Sequence, residues 1–250
     1  MNQSNKMKTQ ATALYILLLY IACQLSGLLL FIPGMRDIFL QLISGNRNEA
    51  GVVLAAWWST ISFAITFILC LIFISRNKNF WNVFKGEKAS IGESIGWGIV
   101  GFFLVLVGQT VAANIEVALG IEIGSENTET IIMVTEIAPI MILSTVLFAP
   151  ILEELVFRRV VFGSIIQAQN FWIAGIISAI VFAAIHLDFT HILIYTVSGF
   201  IFAFLYYKTK RLLTSIIAHM LLNGFVTIAQ IYFDDIQRIL KEMQMIFLFH

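Results

Sequence analysis

Six polar side chains with the chemistry for hydrolysis lie within apolar stretches of this chain. They are Glu153, Glu154, Arg158, His186, His219 and Asn223. Each charged group inside such a stretch costs roughly 2.5–3.5 kcal/mol even on the lenient insertion scale. Several of them are four residues from a partner, which is one helical turn, so on helices the partners would share a face. The pattern predicts a polar site buried among hydrophobic helices.

Glu153 is the candidate general base. Glu154 and Arg158 are four residues apart with the acid first, the favourable order for an ion pair within a helix. This pairing would leave Glu153 as an unpaired carboxylate, whose charged form is disfavoured in apolar surroundings, so it is suited to proton transfer. His186 could share the activated water molecule with Glu153.

His219 and Asn223 are candidate hydrogen-bond donors at a spacing of one helical turn. Such a pair could stabilise the oxyanion that forms when water adds to an amide carbonyl. A covalent route would need an activated serine. Four serines occur in this half of the chain without a nucleophile motif such as GxSxG, namely Ser164, Ser178, Ser198 and Ser215. The residues therefore predict peptide-bond hydrolysis without a covalent intermediate.

The composition is that of an integral membrane protein. Hydrophobic residues make up 59% of the chain and charged residues 12%, with a mean hydropathy of +0.91, whereas soluble domains carry about 25% charged residues. The apolar segments are long enough to cross the bilayer as helices and lack the alternation of a membrane barrel. The net charge of zero provides no field for nucleic acid. Cys23 and Cys70 lack metal-binding spacing and are interpreted as packing residues.

The predicted fold class is an all-α membrane bundle of about seven or eight transmembrane helices, in one domain over 1–250, with a polar cavity inside the membrane. The seven predicted spans are 13–31, 51–75, 95–119, 139–166, 171–187, 189–207 and 212–232. A short interfacial helix is expected over 131–138, and the tail 234–250 is either interfacial or an eighth span. Pro150, just before the glutamates, permits a kink.

Lysine and arginine are distributed unevenly between the two predicted faces. The amino-terminal side holds Lys6, Lys8, Arg76, Lys78, Lys85, Lys88, Lys208, Lys210 and Arg211, and the opposite side holds Arg36, Arg47, Arg238 and Lys241. Because basic loops remain in the cytoplasm, the amino terminus is predicted to be cytoplasmic.

The predicted spans can bring the polar residues together. The fourth and fifth spans are joined by the short turn 167–170, so Glu153 and His186 would both lie about 20–25 Å from that end of the hairpin. His219 would lie only about 12 Å from the same face, unless the seventh helix is tilted or begins late. The short fifth span should leave the far side open to water and substrate.

At these residues the sequence resembles the family of CAAX proteases and bacteriocin-processing enzymes, abbreviated CPBP and also called Abi. The family motifs are EExxxR, FxxxH and HxxxN/D. The matching residues are Glu153, Glu154, Arg158, Phe182, His186, His219 and Asn223. The resemblance covers about 139–229, which we take as the catalytic core.

The resemblance implies an intramembrane endopeptidase in which Glu153 and His186 activate water and His219 and Asn223 form the oxyanion hole. It also implies membrane lipid as the environment, a bacterial cell membrane as the location, and a peptide or protein precursor as substrate, such as a bacteriocin-like or signalling peptide. CAAX proteases open toward the cytosol, whereas the basic residues place the open end of the site outside. The face on which the cavity opens is thus left undecided.

Two questions stay open at the level of sequence. Family members are often described as metalloproteases, and Glu153, His186 and His219 could hold zinc. The chain has no HExxH motif and a glutamate base needs no metal, so we predict no cofactor, with zinc as the alternative. The alternatives to a protease are an inactive immunity or scaffold protein and a proton-coupled transporter. All motif residues are present and no repeated halves are found, which favours the enzyme.

Three further acidic and histidine residues are given structural roles. Asp188 is predicted to be the N-cap of the sixth span. Glu116 lies near a predicted helix end, and His191 is expected at the membrane interface.

Overall fold

A computed structural model describes residues 3–41, 49–233 and 237–238, and within them the protein is all helical. The helices are α1 (Gln3–Leu25, continued by a 3-10 segment, Ser26–Phe31), α2 (Met35–Gln41), α3 (Ala50–Ser75), α4 (Ile91–Ala118), α5 (Glu126–Ile137), α6 (141–165), α7 (Phe171–Ala184), α8 (Ile192–Thr209) and α9 (Leu212–Ile231). The predicted all-α membrane bundle is confirmed.

Five helices of the described residues are long and apolar enough to cross a membrane. They cover Gln3–Phe31, Ala50–Ser75, Ile91–Ala118, Ile192–Thr209 and Leu212–Ile231. Their outer faces expose large apolar side chains such as Leu18, Ile65 and Phe103, as expected for contact with lipid. The predicted number of seven or eight spans is not confirmed. Most of the tail 234–250 lies outside the described residues.

Several helix boundaries differ from those predicted, and three of these differences have a local cause. α5 begins at Glu126 instead of 131, because the Ser125 hydroxyl accepts a hydrogen bond from the Thr128 backbone N–H and caps the helix. α7 ends at Ala184, since Leu187 just beyond it adopts a positive φ of 56°. Asp188 is not the N-cap of α8: His191 occupies that position, and Asp188 accepts a hydrogen bond from its backbone N–H.

α6 lies at the centre of the bundle. It packs against α1, α3, α7, α8 and α9. Its residues Leu152, Val156, Phe157 and Phe162 are all at most 2% exposed. The Phe157 ring meets the Phe182 ring of α7 edge to face, with centroids 5.5 Å apart. Because α6 is enclosed by five other helices, its polar residues are held away from lipid.

α6 departs from α-helical geometry on both sides of Pro150. The segments Leu143–Phe148 and Glu154–Phe162 are π-helical, and Ala149–Glu153 between them is α-helical. At the ends of the π segments, Ala149 N–H donates to the Ser144 carbonyl and Gly163 N–H to the Arg158 carbonyl. Such segments are rare and frequently occur at functional sites. The sequence predicted a helix that Pro150 permits to kink, but not these π segments.

Glycines allow α4 to lie directly against α8 and α9. A Cβ atom on Gly101 would collide with Leu205 Cδ1 of α8 and lie 3.2 Å from the Ala218 Cβ of α9. A Cβ atom on Gly98 would lie 2.7 Å from Ile217 Cγ2. Leu205 is completely buried, so it has little room to move. Close packing of these three helices therefore depends on the absence of a side chain at Gly98 and at Gly101 of α4.

We expect Gly101→Ala to destabilise the protein by about 1–3 kcal/mol, the usual penalty for inserting a carbon into a packed core. Gly96→Ala is the matched control, because it lies on the same helix and a Cβ there would meet nothing within 4 Å. Thermal unfolding of both purified variants in detergent measures the difference. A Gly101→Ala protein that melts at or above the temperature of Gly96→Ala would contradict the packing described.

Candidate active site

Four of the predicted residues line one cavity in the bundle, with a volume of about 270 Å³. They are Glu153 from α6, His186 just beyond the end of α7, and His219 and Asn223 from α9. Glu154 and Arg158 do not line the cavity and are fully buried behind it. The structure thus brings the three motifs together. α9 begins at Leu212, as predicted, so a late start of this helix is not what brings His219 to the cavity.

The His219 ring lies between the two adjacent glutamates. Its Nδ1 atom is 3.0 Å from Glu154 Oε1, and its Nε2 atom is 3.7 Å from Glu153 Oε2. The ring also stacks on Phe202 of α8, with centroids 4.6 Å apart and planes at 21°. The sequence predicted Glu153 to be unpaired; packing of α9 on α6 places a histidine beside it, at a distance longer than a hydrogen bond. The Nε2 side of His219 remains directed toward Glu153.

The predicted ion pair between Glu154 and Arg158 is present. Arg158 Nε lies 3.2 Å from Glu154 Oε2, and both side chains are fully buried. Arg158 Nη2 also donates to the Gly199 carbonyl of α8 at 3.2 Å, and the guanidinium lies 4.4 Å from the centroid of the Phe182 ring. A buried charge pair is tolerated only when further polar and cation–π contacts compensate for lost hydration. Arg158 thereby connects α6, α7 and α8.

His186 has one ring nitrogen fixed and the other available. Its Nδ1 atom is 2.9 Å from the Phe182 carbonyl oxygen. Because a carbonyl can only accept, Nδ1 carries the proton, and in the neutral ring Nε2 is then a hydrogen-bond acceptor. The ring stacks on Tyr195 of α8, with centroids 4.1 Å apart and planes at 26°. These contacts fix the position and the tautomer of the imidazole.

Asn223 is anchored to α6 by its amide group. Its Nδ2 atom donates to the Thr145 carbonyl at 2.9 Å. Thr145 lies in the first π segment, where the backbone pairing differs from that of an α-helix. One N–H and the carbonyl oxygen of the amide remain for other partners. A hydrogen bond therefore connects the first π segment of α6 to the motif that contains His219 and Asn223.

Tyr195 contacts the site and was missed by the sequence analysis. Its hydroxyl oxygen accepts a hydrogen bond from Asn127 Nδ2 at 3.3 Å and lies 3.0 Å from Ser125 Oγ. Through its ring it supports His186. A tyrosine within an apolar helix has no feature that distinguishes it from a packing residue, so only the tertiary structure identifies it.

Glu116 and His191 form a buried pair that the sequence analysis did not predict. Glu116 Oε2 is 2.9 Å from His191 Nδ1, and the two residues are 3% and 8% exposed. The pair joins the start of α8 to the end of α4, and the interfacial position of His191 stays a prediction. The sequence separation of 75 residues hid the pairing.

The zinc set considered from the sequence does not fit the geometry. Across 3–41, 49–233 and 237–238, no three His, Cys, Asp or Glu side chains are placed so that they could hold a metal ion. Independence of metal nevertheless stays a prediction for experiment.

These features define a helical membrane protein whose interior cavity carries carboxylate, imidazole and carboxamide groups. The family described as "Type II CAAX prenyl endopeptidase Rce1-like" matches residues 135–225, which include all three motifs. The chain is 40% identical to the "Putative membrane peptidase YdiL" of Bacillus subtilis (strain 168) over 220 residues, covering 87% of this chain and 88% of the relative.

A second relative is the "Membrane-embedded CAAX protease MroQ" of Staphylococcus aureus (strain USA300). It is 40% identical over 144 residues, which cover 55% of this chain and 58% of the relative. No solved structure matches the chain. The chain belongs to the Rce1-like CAAX protease family, the CPBP family that its motifs predict, and it is a membrane protease.

We expect Arg158→Met to destabilise the protein by about 3–5 kcal/mol, because it leaves the Glu154 carboxylate buried without its cation. The double variant Glu154→Gln and Arg158→Met should recover part of this loss, since it removes the stranded charge. Thermal unfolding in detergent measures both effects.

Arg76→Met is the matched control, because Arg76 is exposed at the end of α3. If Arg158→Met melted at the same temperature as Arg76→Met, the buried ion pair would have no stabilising role. If the double variant were less stable than Arg158→Met, the stranded carboxylate would not explain the loss.

Proposed function

We propose that this protein is an intramembrane endopeptidase that hydrolyses a peptide bond of a membrane-associated peptide or protein precursor with water activated by Glu153 and His186. The observation that supports this most is the shared cavity of about 270 Å³, lined by one carboxylate, two imidazoles and a carboxamide from separate motifs. Membership of a membrane protease family supports the same reaction.

In the proposed first step, the Glu153 carboxylate takes a proton from a water molecule as the water oxygen attacks the scissile carbonyl carbon. The unprotonated Nε2 atom of His186 accepts a hydrogen bond from the same water and orients it. Glu153 then passes its proton to the leaving nitrogen as the carbon–nitrogen bond breaks. The products are a carboxylic acid and an amine, and no covalent enzyme intermediate is formed.

His219 and Asn223 are proposed to stabilise the tetrahedral oxyanion. Asn223 has an N–H beyond the one that binds the Thr145 carbonyl. In this proposal the His219 ring carries a proton on both nitrogens, because Nδ1–H pairs with the Glu154 carboxylate and the oxyanion needs a second donor. Nε2–H lies 3.7 Å from Glu153 Oε2, which is longer than a hydrogen bond, so it is available to the oxyanion beside the base. Glu154 and Arg158 are positioning residues, because Glu154 holds His219 Nδ1 and Arg158 holds Glu154.

The proposed substrate is a membrane-associated precursor such as a bacteriocin-like or signalling peptide. The support is the bacterial origin of the relatives and the apolar lipid-facing surface of the bundle. We place the protein in the bacterial cell membrane with its amino terminus in the cytoplasm, on the basis of the lysine and arginine distribution. On that orientation the ends of α4 and α9 nearest the cavity face away from the cytoplasm.

We expect Glu153→Gln or His186→Ala to cause uncleaved precursor to accumulate in cells, with the rate of hydrolysis lowered by about 10²–10⁴-fold, because each removes a group that handles the attacking water. The measurement is an immunoblot of a co-expressed, tagged membrane peptide precursor. Glu136→Gln is the control, since Glu136 is exposed and does not line the cavity. Unchanged processing in both variants, at normal protein level, would favour an inactive immunity or scaffold protein.

We expect the purified enzyme to keep its activity after treatment with a metal chelator, because the carboxylate base can accept the proton of water without a metal. The measurement is cleavage of a quenched fluorescent peptide before and after chelation and dialysis. A loss of activity that added zinc restores would contradict the metal-free mechanism.

A further inference from the structure

A second cavity, also about 270 Å³, lies between α4, α5, α8 and α9 and is here called the acidic cavity. Its carboxylates are Glu116 near the end of α4, Glu122 in the following loop and Glu129 on α5. None of its described lining residues is lysine or arginine. The cavity therefore has an excess of negative charge that the proposed reaction does not use.

Glu116 is a buried carboxylate with one oxygen lacking a partner. Its Oε2 atom is paired with His191 Nδ1 at 2.9 Å, while Oε1 has no hydrogen-bond partner among the described residues. Glu116 is 3% exposed, so water contributes little to its solvation. A buried acceptor without a donor is unfavourable, and a donor supplied by a ligand would remove that penalty.

Glu122 and Glu129 are exposed and extend the negative charge to the rim of the cavity. Gly124, between them, has a φ of 134°, and a Cβ there would lie 3.2 Å from Glu129 Oε1, so the loop folds back onto α5. The whole stretch 120–130 contains no lysine or arginine. This arrangement favours a cation at the entrance of the acidic cavity as well as beside Glu116 at its bottom.

The acidic cavity adjoins the active-site cavity. Gln109, Thr128, Tyr195 and Val226 line both. The Tyr195 ring that separates them stacks on His186. A peptide held with one bond beside Glu153 and His186 would therefore bring a neighbouring side chain to the acidic cavity.

A metal ion is a poor fit for this charge, because no three His, Cys, Asp or Glu side chains of the described residues are arranged to hold one. An organic cation needs no such arrangement, since guanidinium and ammonium groups pair with separate carboxylates. We propose that the acidic cavity binds a lysine or arginine side chain of the peptide substrate close to the cleaved bond. The identification of the ligand as part of the substrate rests on the proposed function.

The test compares two fluorescein-labelled apolar peptides that differ only in one residue, arginine in one and its neutral isostere citrulline in the other. Binding to the full-length protein in detergent is measured by fluorescence anisotropy, and mass spectrometry confirms that the peptides are intact. We expect the arginine peptide to bind about five- to tenfold more tightly, as for a partly buried charge pair, with the preference weakening as salt is added.

The ratio of the affinities for the arginine and citrulline peptides should fall to near one in Glu116→Gln and in the double variant Glu122→Gln and Glu129→Gln. The double variant changes only exposed side chains, so it keeps the test valid if Glu116→Gln fails to fold. Glu126→Gln is the control, because Glu126 lies on the same helix as Glu129 but does not line the cavity. That control should keep the full preference.

Equal binding of the two peptides by the unmodified protein, or an arginine preference that survives both sets of substitutions, would overturn the proposal. Binding is scored without hydrolysis, so this result is separable from failure of the peptidase mechanism. A protein that prefers arginine but cleaves nothing would contradict the proposed function and leave the acidic cavity as a cation site.

Discussion

The Glu154 carboxylate holds the site together, since each of its oxygens is paired with a residue that fixes another helix. Oε2 pairs with Arg158, whose guanidinium binds the Gly199 carbonyl and stacks on Phe182, and Oε1 pairs with His219 on α9. In hydrocarbon these charged groups are stable only together. Burial therefore acts as a constraint on geometry: the helices must pack so that the carboxylate, the guanidinium and the imidazole meet.

The apolar surroundings also explain why the cavity is assembled from separate helices. A polar residue in the membrane interior needs enclosure by protein, and α6 receives it from five neighbouring helices. α7 has 14 residues and ends before His186, so this imidazole lies beyond regular helix yet remains fixed by Phe182 and Tyr195. The close approach of α4 through Gly98 and Gly101 closes the bundle on the other side.

The amino-acid sequence was sufficient to predict the helical membrane fold, because apolar length is a local property. It also predicted that Glu153, His186, His219 and Asn223 lie together, from the short turn 167–170 and the family motifs. It was insufficient for the individual contacts between helices. The insertion of His219 between two glutamates and the pairing of Glu116 with His191 depend on how helices pack, which no spacing encodes. The π segments of α6 were likewise missed, since they arise from backbone pairing and leave no pattern in residue type.

Because of the π segments, the direction in which each residue of α6 faces depends on the exact number of residues in that helix. A π turn accommodates an additional residue within an otherwise α-helical path, so deletion of one residue between 143 and 162 would permit regular pairing to resume. Residues between the deletion and the next regular turn would then move by one position, which is about 100° around the helix axis. Carboxylates that now meet His219 would face another neighbour. Natural variation in this protein should therefore tolerate gaps and insertions in the connecting loops, while the number of residues between Thr145 and Arg158 stays fixed.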